Sequence, residues 1–131
     1  VLVCLDPATG KRRWARPAPE ADFGKEGVHE ESSAAASTPA TDGRTVVVFV
    51  PGYGLWATDA AGKERWRLPL PQSPNLHGKA SSPVLHDGRI FQLLDSRRMG
   101  AASLCAVDLR TGKLLWQTVR REVGESWSTP V

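Results

Sequence analysis

Apolar positions along this chain fall in short runs closed by polar turn signals, with no sustained helical spacing. The clearest runs are 46–50, Val-Val-Val-Phe-Val, and 90–94, Ile-Phe-Gln-Leu-Leu. Both are rich in the β-branched and aromatic residues that suit a pleated sheet. Each follows an Asp-Gly pair, Asp42-Gly43 or Asp87-Gly88, where glycine tolerates the positive φ of a tight hairpin turn. These runs are predicted as second strands, and their near-continuous apolarity predicts burial on both faces. Leu55-Trp56-Ala57-Thr58 and Ser103-Leu104-Cys105-Ala106-Val107 read as third strands. Fourth strands are predicted around 13–16, 64–68 and 114–119. The chain reads as all-β.

Two patterns repeat and interleave. The first is Asp6-Pro7-Ala8-Thr9-Gly10-Lys11-Arg12-Arg13-Trp14, then Asp59-Ala60-Ala61-Gly62-Lys63-Glu64-Arg65-Trp66, then Asp108-Leu109-Arg110-Thr111-Gly112-Lys113-Leu114-Leu115-Trp116. A small residue stands two places before each aspartate: Cys4, Ala57 and Ala106. The second pattern is Ser37-Thr38-Pro39, Ser81-Ser82-Pro83 and Ser128-Thr129-Pro130, spaced by 44 and 47 residues. Each aspartate can accept hydrogen bonds from backbone N–H groups of its own turn. Gly10, Gly62 and Gly112 then supply a left-handed residue that closes it. A four-stranded sheet with two apolar faces needs a neighbour on each side, and radial packing about an axis provides one.

The small-x-Asp-x-x-Thr-Gly-Lys-x-x-Trp segments resemble the tryptophan-docking motif of the pyrroloquinoline-quinone (PQQ) repeat family. The resemblance implies a β-propeller of seven or eight blades, with Trp14, Trp66 and Trp116 as structural ties between blades and Gly10, Gly62 and Gly112 in the turns. The expected fold class is thus all-β, a β-propeller segment of four-stranded antiparallel blades. Residues 1–17 would form a half blade, 34–70 and 79–120 two complete blades, and 126–131 the first strand of the next. The middle repeat lacks the threonine and is one residue shorter, which affects only its turn geometry. No Trp-Asp dipeptide closes a strand and no double glycine occurs, so WD-repeat and Kelch-type patterns do not fit. Both ends fall within strand-like sequence. The expectation is a segment of a longer polypeptide, or else copies that associate to close the ring.

The 131 residues are 40% apolar and 24% charged, a balance that suits a globular protein with a core. A net charge of +3, with arginines scattered in pairs such as Arg12-Arg13 and Arg97-Arg98, gives no dense basic stripe for nucleic acid. No apolar run approaches bilayer length. Cys4 and Cys105 belong to third strands of different blades, are not expected to bridge, and read as small buried hydrophobes.

Candidate chemistry is sparse. His29-Glu30-Glu31 lies in a long polar stretch, but position 33 is serine, so the HExxH metal pattern is absent. His77, Lys79 and Ser81 precede or open a first strand, and Trp127 is placed similarly. In a propeller these four are candidate channel-lining residues. They do not make a nucleophile, because no base and orienting acid accompany the serine hydroxyls. Outside turn contexts, Asp22 and Asp95 are the aspartates that stand out.

The resemblance leaves two functions open. The first is a non-catalytic PQQ-like repeat propeller, a binding or scaffold module of a periplasmic or otherwise exported bacterial protein. It would require no cofactor and would hold a protein or small-molecule ligand at its channel or rim loops. The alternative is a fragment of a PQQ- and calcium-dependent quinoprotein dehydrogenase. Such enzymes add a catalytic aspartate, carboxylate and amide calcium ligands, and often an adjacent Cys-Cys pair. No adjacent Cys-Cys pair occurs in this sequence, and the first reading is preferred.

Overall fold

The computed structural model describes residues 1–22, 33, 35–71, 80–98, 100–122 and 128–130. Among these residues, ten strands run in chain order: β1 (Leu2–Leu5), β2 (Arg12–Arg16), β3 (Ala40–Thr41), β4 (Thr45–Val50), β5 (Gly54–Asp59), β6 (Glu64–Pro69), β7 (Val84–His86), β8 (Arg89–Leu94), β9 (Ser103–Asp108) and β10 (Leu114–Val119). They form three sheets in sequential antiparallel order, β1-β2, β3-β4-β5-β6 and β7-β8-β9-β10. This all-β segment of a propeller agrees with the strand pattern read from sequence. Among the described residues, no helix is long and apolar enough to cross a membrane.

The turns follow their residues. Asp87 and Gly88 both have positive φ, 46° and 69°, and His86 pairs with Arg89 across them. That is the two-residue hairpin in which both central residues are left-handed. The Asp42-Gly43 turn is wider. Only Gly43 has positive φ there, and Asp42 Oδ1 accepts the N–H groups of Arg44 (2.9 Å) and Thr45 (2.7 Å).

The core lies between the second and third sheets. Val47, Phe49, Leu55 and Ala57 from one side meet Ile90, Leu94, Cys105, Val107 and Leu109 from the other, with Leu70 and the partly buried Trp66, Leu68 and Leu85 at the margin. Burial on both faces is found in the third strands rather than throughout the second ones. In β5, Leu55, Trp56, Ala57 and Thr58 are all buried, whereas β4 alternates buried and half-buried positions. Successive strand residues point to opposite faces, so Val46, Val48 and Val50 face away from the third sheet. On that side the first sheet supplies only β1 and β2, and the cover over β4 is thinner. Cys4, expected buried, is half-buried for the same shortage of neighbours, while Cys105 is fully buried.

Candidate functional site

The Asp-Gly-Lys turns share one hydrogen-bond scheme. The N–H of Asp6, Asp59 and Asp108 donates to the carbonyl of Lys11, Lys63 and Lys113 at 2.8, 2.8 and 2.9 Å. The N–H of Gly10, Gly62 and Gly112 donates back to the aspartate carbonyl. Side chains complete each turn. Asp6 Oδ1 accepts from the N–H of Ala8 and Thr9, Asp59 Oδ1 from Ala61 and Lys63, and Asp108 Oδ1 from Thr111. The Arg13 guanidinium, followed by the Thr9 hydroxyl, holds the Asp6 carboxyl below the ordinary range. The Thr111 hydroxyl and backbone N–H do so for Asp108.

Beyond each turn a β-bulge sets the tryptophan. The register of the third and fourth strands shifts between Arg12 and Trp14, Glu64 and Trp66, and Leu114 and Trp116. The extra residue adds local twist. Each tryptophan then stands opposite the small residue of its repeat, in the pairs Cys4–Trp14, Ala57–Trp66 and Ala106–Trp116.

Two of the indoles cross to the next sheet. Trp14 Nε1 donates to the Ala60 carbonyl at 3.1 Å, and Trp66 Nε1 to the Leu109 carbonyl at 2.9 Å. Both acceptors directly follow the turn aspartate. The rings lie on the turn glycines: a Cβ on Gly62 would stand 2.9 Å from Trp14 Cε3, and one on Gly112 would stand 2.5 Å from Trp66 Cδ2. Glycine is needed at these two turns both for its φ of 77° and 70° and for the space the indole takes. Arg16 adds a bond from Nε to the Gly62 carbonyl at 3.1 Å. Trp116 instead is 42% exposed and keeps a tilted contact with Phe91. Gly10 has nothing within 4 Å of where its Cβ would be.

At the inner edge, the Ser-x-Pro segments are laid side by side. Ser37 Oγ donates to the Ser81 carbonyl at 2.9 Å, and Thr38 N–H to Ser82 Oγ at 2.9 Å. One sheet further on, Ser82 N–H donates to Thr129 Oγ1 at 3.4 Å. Ser81 is buried, and its hydroxyl and carbonyl also receive Gln92 Nε2. Gln92 is not among the candidates expected from the sequence. Its only signal was a polar side chain inside the apolar run 90–94. It is fully buried, and its Oε1 has no hydrogen-bond partner among the described residues.

Of the other candidates, His77, Lys79, Trp127 and the His29-Glu30-Glu31 segment lie outside the described residues. Asp95, singled out for lacking a turn, is buried at the end of β8 and pairs with Arg120 Nη1 at 3.0 Å. Trp56 is a core residue whose Nε1 donates to Glu64 Oε2 at 3.1 Å. Among the described residues, no three His, Cys, Asp or Glu side chains gather as a metal ion would require.

Comparison with known proteins agrees with this architecture. A family model described as outer membrane protein assembly factor BamB matches residues 1–128. No curated protein matches the chain. Among solved structures, the chain is similar to a europium-containing methanol dehydrogenase, with a TM-score of 0.61 and 15% sequence identity. The alignment covers 89% of this chain but 21% of that one, and at such identity the likeness is one of fold. Matched along nearly all of its length, the chain belongs to the PQQ-like repeat family described as outer membrane protein assembly factor BamB.

Proposed function

We propose that this segment serves a non-catalytic propeller, a binding or scaffold module of an exported, periplasmic bacterial protein. One observation carries the reading: the repeated polar and aromatic side chains are spent on holding the blades. Asp6, Asp59 and Asp108 close turns, Trp14 and Trp66 bridge sheets, and Ser37 and Ser81 tie the inner edge. Trp14, Trp66 and Trp116 with Gly10, Gly62 and Gly112 are on this view structural docking residues. The binding surface is then the channel mouth and rim loops, with His77, Lys79, Ser81 and Trp127 as its sequence-nominated positions. The name of the matched family supports a protein partner in outer-membrane assembly.

The competing reading, a piece of a PQQ- and calcium-dependent dehydrogenase, draws on the fold likeness to the methanol dehydrogenase. Titration of the chain with PQQ and either Ca²⁺ or Eu³⁺, followed by absorbance and melting temperature, separates the two. The expected result is no saturable change. Photo-crosslinkers at positions 77 and 127 should in parallel join a defined protein partner in cells exporting the chain. Stoichiometric quinone binding with a metal-dependent rise in melting temperature would overturn the scaffold reading.

A further inference from the structure

We propose that Asp87 is a site of spontaneous backbone modification, where the Gly88 nitrogen closes a ring on the aspartate side chain and leaves an isoaspartyl link. Two turns of the chain carry the same tripeptide, Asp42-Gly43-Arg44 and Asp87-Gly88-Arg89. Glycine favours ring closure at both, because no Cβ shields its nitrogen. Asp22, Asp59, Asp95 and Asp108 are followed by residues with side chains, and Asp6 by Pro7, which has no N–H to give. Local sequence thus sets the two Asp-Gly sites apart from the rest but not from each other. Their folded geometry does that.

At the first turn the reacting groups are engaged. Asp42 Oδ1 accepts the N–H groups of Thr45 at 2.7 Å and Arg44 at 2.9 Å, and Gly43 N–H donates to Thr41 Oγ1 at 3.0 Å. The Thr45 N–H, followed by that of Arg44, holds the Asp42 carboxyl below the ordinary range. An ionised carboxylate is a poor target for a nucleophile. At the second turn the strands close more tightly, His86 against Arg89, and Asp87 takes a φ of 46°. From that conformation its carboxylate meets the Arg89 guanidinium at 3.0 Å. The Asp87 side chain is 78% exposed and that of Arg89 48%, so water competes for the pair. Among the described residues the Gly88 N–H has no hydrogen-bond partner, and the space above Gly88 is open.

The reaction needs only water. The Gly88 nitrogen attacks Cγ of the protonated Asp87 carboxyl. An N–Cγ bond forms and a C–O bond breaks, and water leaves with the carboxyl hydroxyl and the amide proton. A second water then opens the succinimide. Attack at the Cγ carbonyl restores aspartate, while attack at the α-carbonyl leaves the main chain running through Cβ and Cγ, with a free α-carboxylate. The product adds a methylene to the main chain of a two-residue hairpin, next to the His86–Arg89 pair.

Ageing the folded chain in neutral buffer below its melting temperature, followed by tryptic digestion, tests this. Residues 26–44 and 80–89 fall in separate peptides, and electron-transfer fragmentation tells isoaspartate from aspartate at equal mass. Isoaspartate at position 87 should build up about tenfold faster than at 42, the rate factor of about 1.4 kcal/mol of turn hydrogen bonding that Asp42 must first give up. In denaturant the two rates should converge. Asp87→Glu should remove most of the methyl label that an isoaspartyl methyltransferase places on the aged folded chain. Equal build-up at 42 and 87 in the folded chain would overturn the proposal. So would a peptide 80–89 that stays unmodified while the denatured chain converts, or a difference that persists in denaturant, since sequence neighbours and not the fold would then set it.

Discussion

The indole of Trp66 lies directly on Gly112, with Cδ2 at 2.5 Å from the position a Cβ would take. Gly88 has nearly the same φ, 69° against 70°, yet has nothing within 4 Å. The two glycines thus separate backbone strain from crowding. Gly88→Ala should cost about 1–2 kcal/mol for the left-handed conformation alone. Gly112→Ala should cost a further ~1–3 kcal/mol of overpacking against the ring. Urea denaturation at equal temperature compares them. Equal losses would remove the indole from contact with the turn.

Removing the ring should cost more than crowding it. Trp66 packs on the main core and fills the junction between two sheets. Trp66→Ala is expected to lose about 3–5 kcal/mol, as large core truncations do. Trp66→Phe keeps most of the packing but leaves the Leu109 carbonyl without its donor, at about 1–2 kcal/mol. Trp116→Ala should lose under about 1.5 kcal/mol, the range of one aromatic contact. A loss below about 1 kcal/mol for Trp66→Ala would end its docking role.

These contrasts mark what was legible beforehand. Turns are local, so Asp87-Gly88 and the Asp-Gly-Lys segments could be read from a few adjacent residues. The spacing of the tryptophans gave the repeat, because each blade needs one. The acceptor for each indole was not legible, since Leu109 lies 43 residues from Trp66 and only the packed sheets bring them together. The same holds for Asp95 and Arg120, 25 residues apart. Burial of the second strands was over-read from 46–50. Composition reports that a strand can be buried on both faces, while the neighbouring sheet decides whether it is.

Acid should weaken the fold through the turn aspartates. The hydroxyl and backbone N–H of Thr111 donate to Asp108 Oδ1 at 2.6 and 2.7 Å and hold its carboxyl below the ordinary range. A group with a lowered folded pKa binds fewer protons when folded. Its contribution is complete above the unfolded value, near 4, and is lost as pH falls through the folded value. Asp108→Asn keeps an acceptor oxygen but cannot titrate. Between about pH 5 and pH 2.5 its urea midpoint should therefore fall less than that of the wild type. Some fall will remain, because Asp6, Asp42 and Glu64 are held low as well. Parallel curves would mean that Asp108 is not held by Thr111 in solution.

The two cysteines should differ in reactivity by their places in the sheets. Cys105 sits on β9 inside the core between the second and third sheets, and burial pushes its thiol up to about 11. At pH 8 roughly one molecule in a thousand would carry the thiolate that reacts, and the core also bars the reagent. Cys4 lies on β1, half-buried, on a sheet of two strands. A disulfide reagent at pH 8 should thus consume one equivalent quickly in the folded chain and two in denaturant. The slow equivalent should disappear from Cys105→Ala and persist in Cys4→Ala. Because Cys105 becomes reachable only when the sheets part, its rate reports opening of the junction that Trp66 spans. Trp66→Ala should therefore quicken it, while Trp116→Ala should not. Two fast equivalents in the folded wild type would mean that this junction stands open in solution.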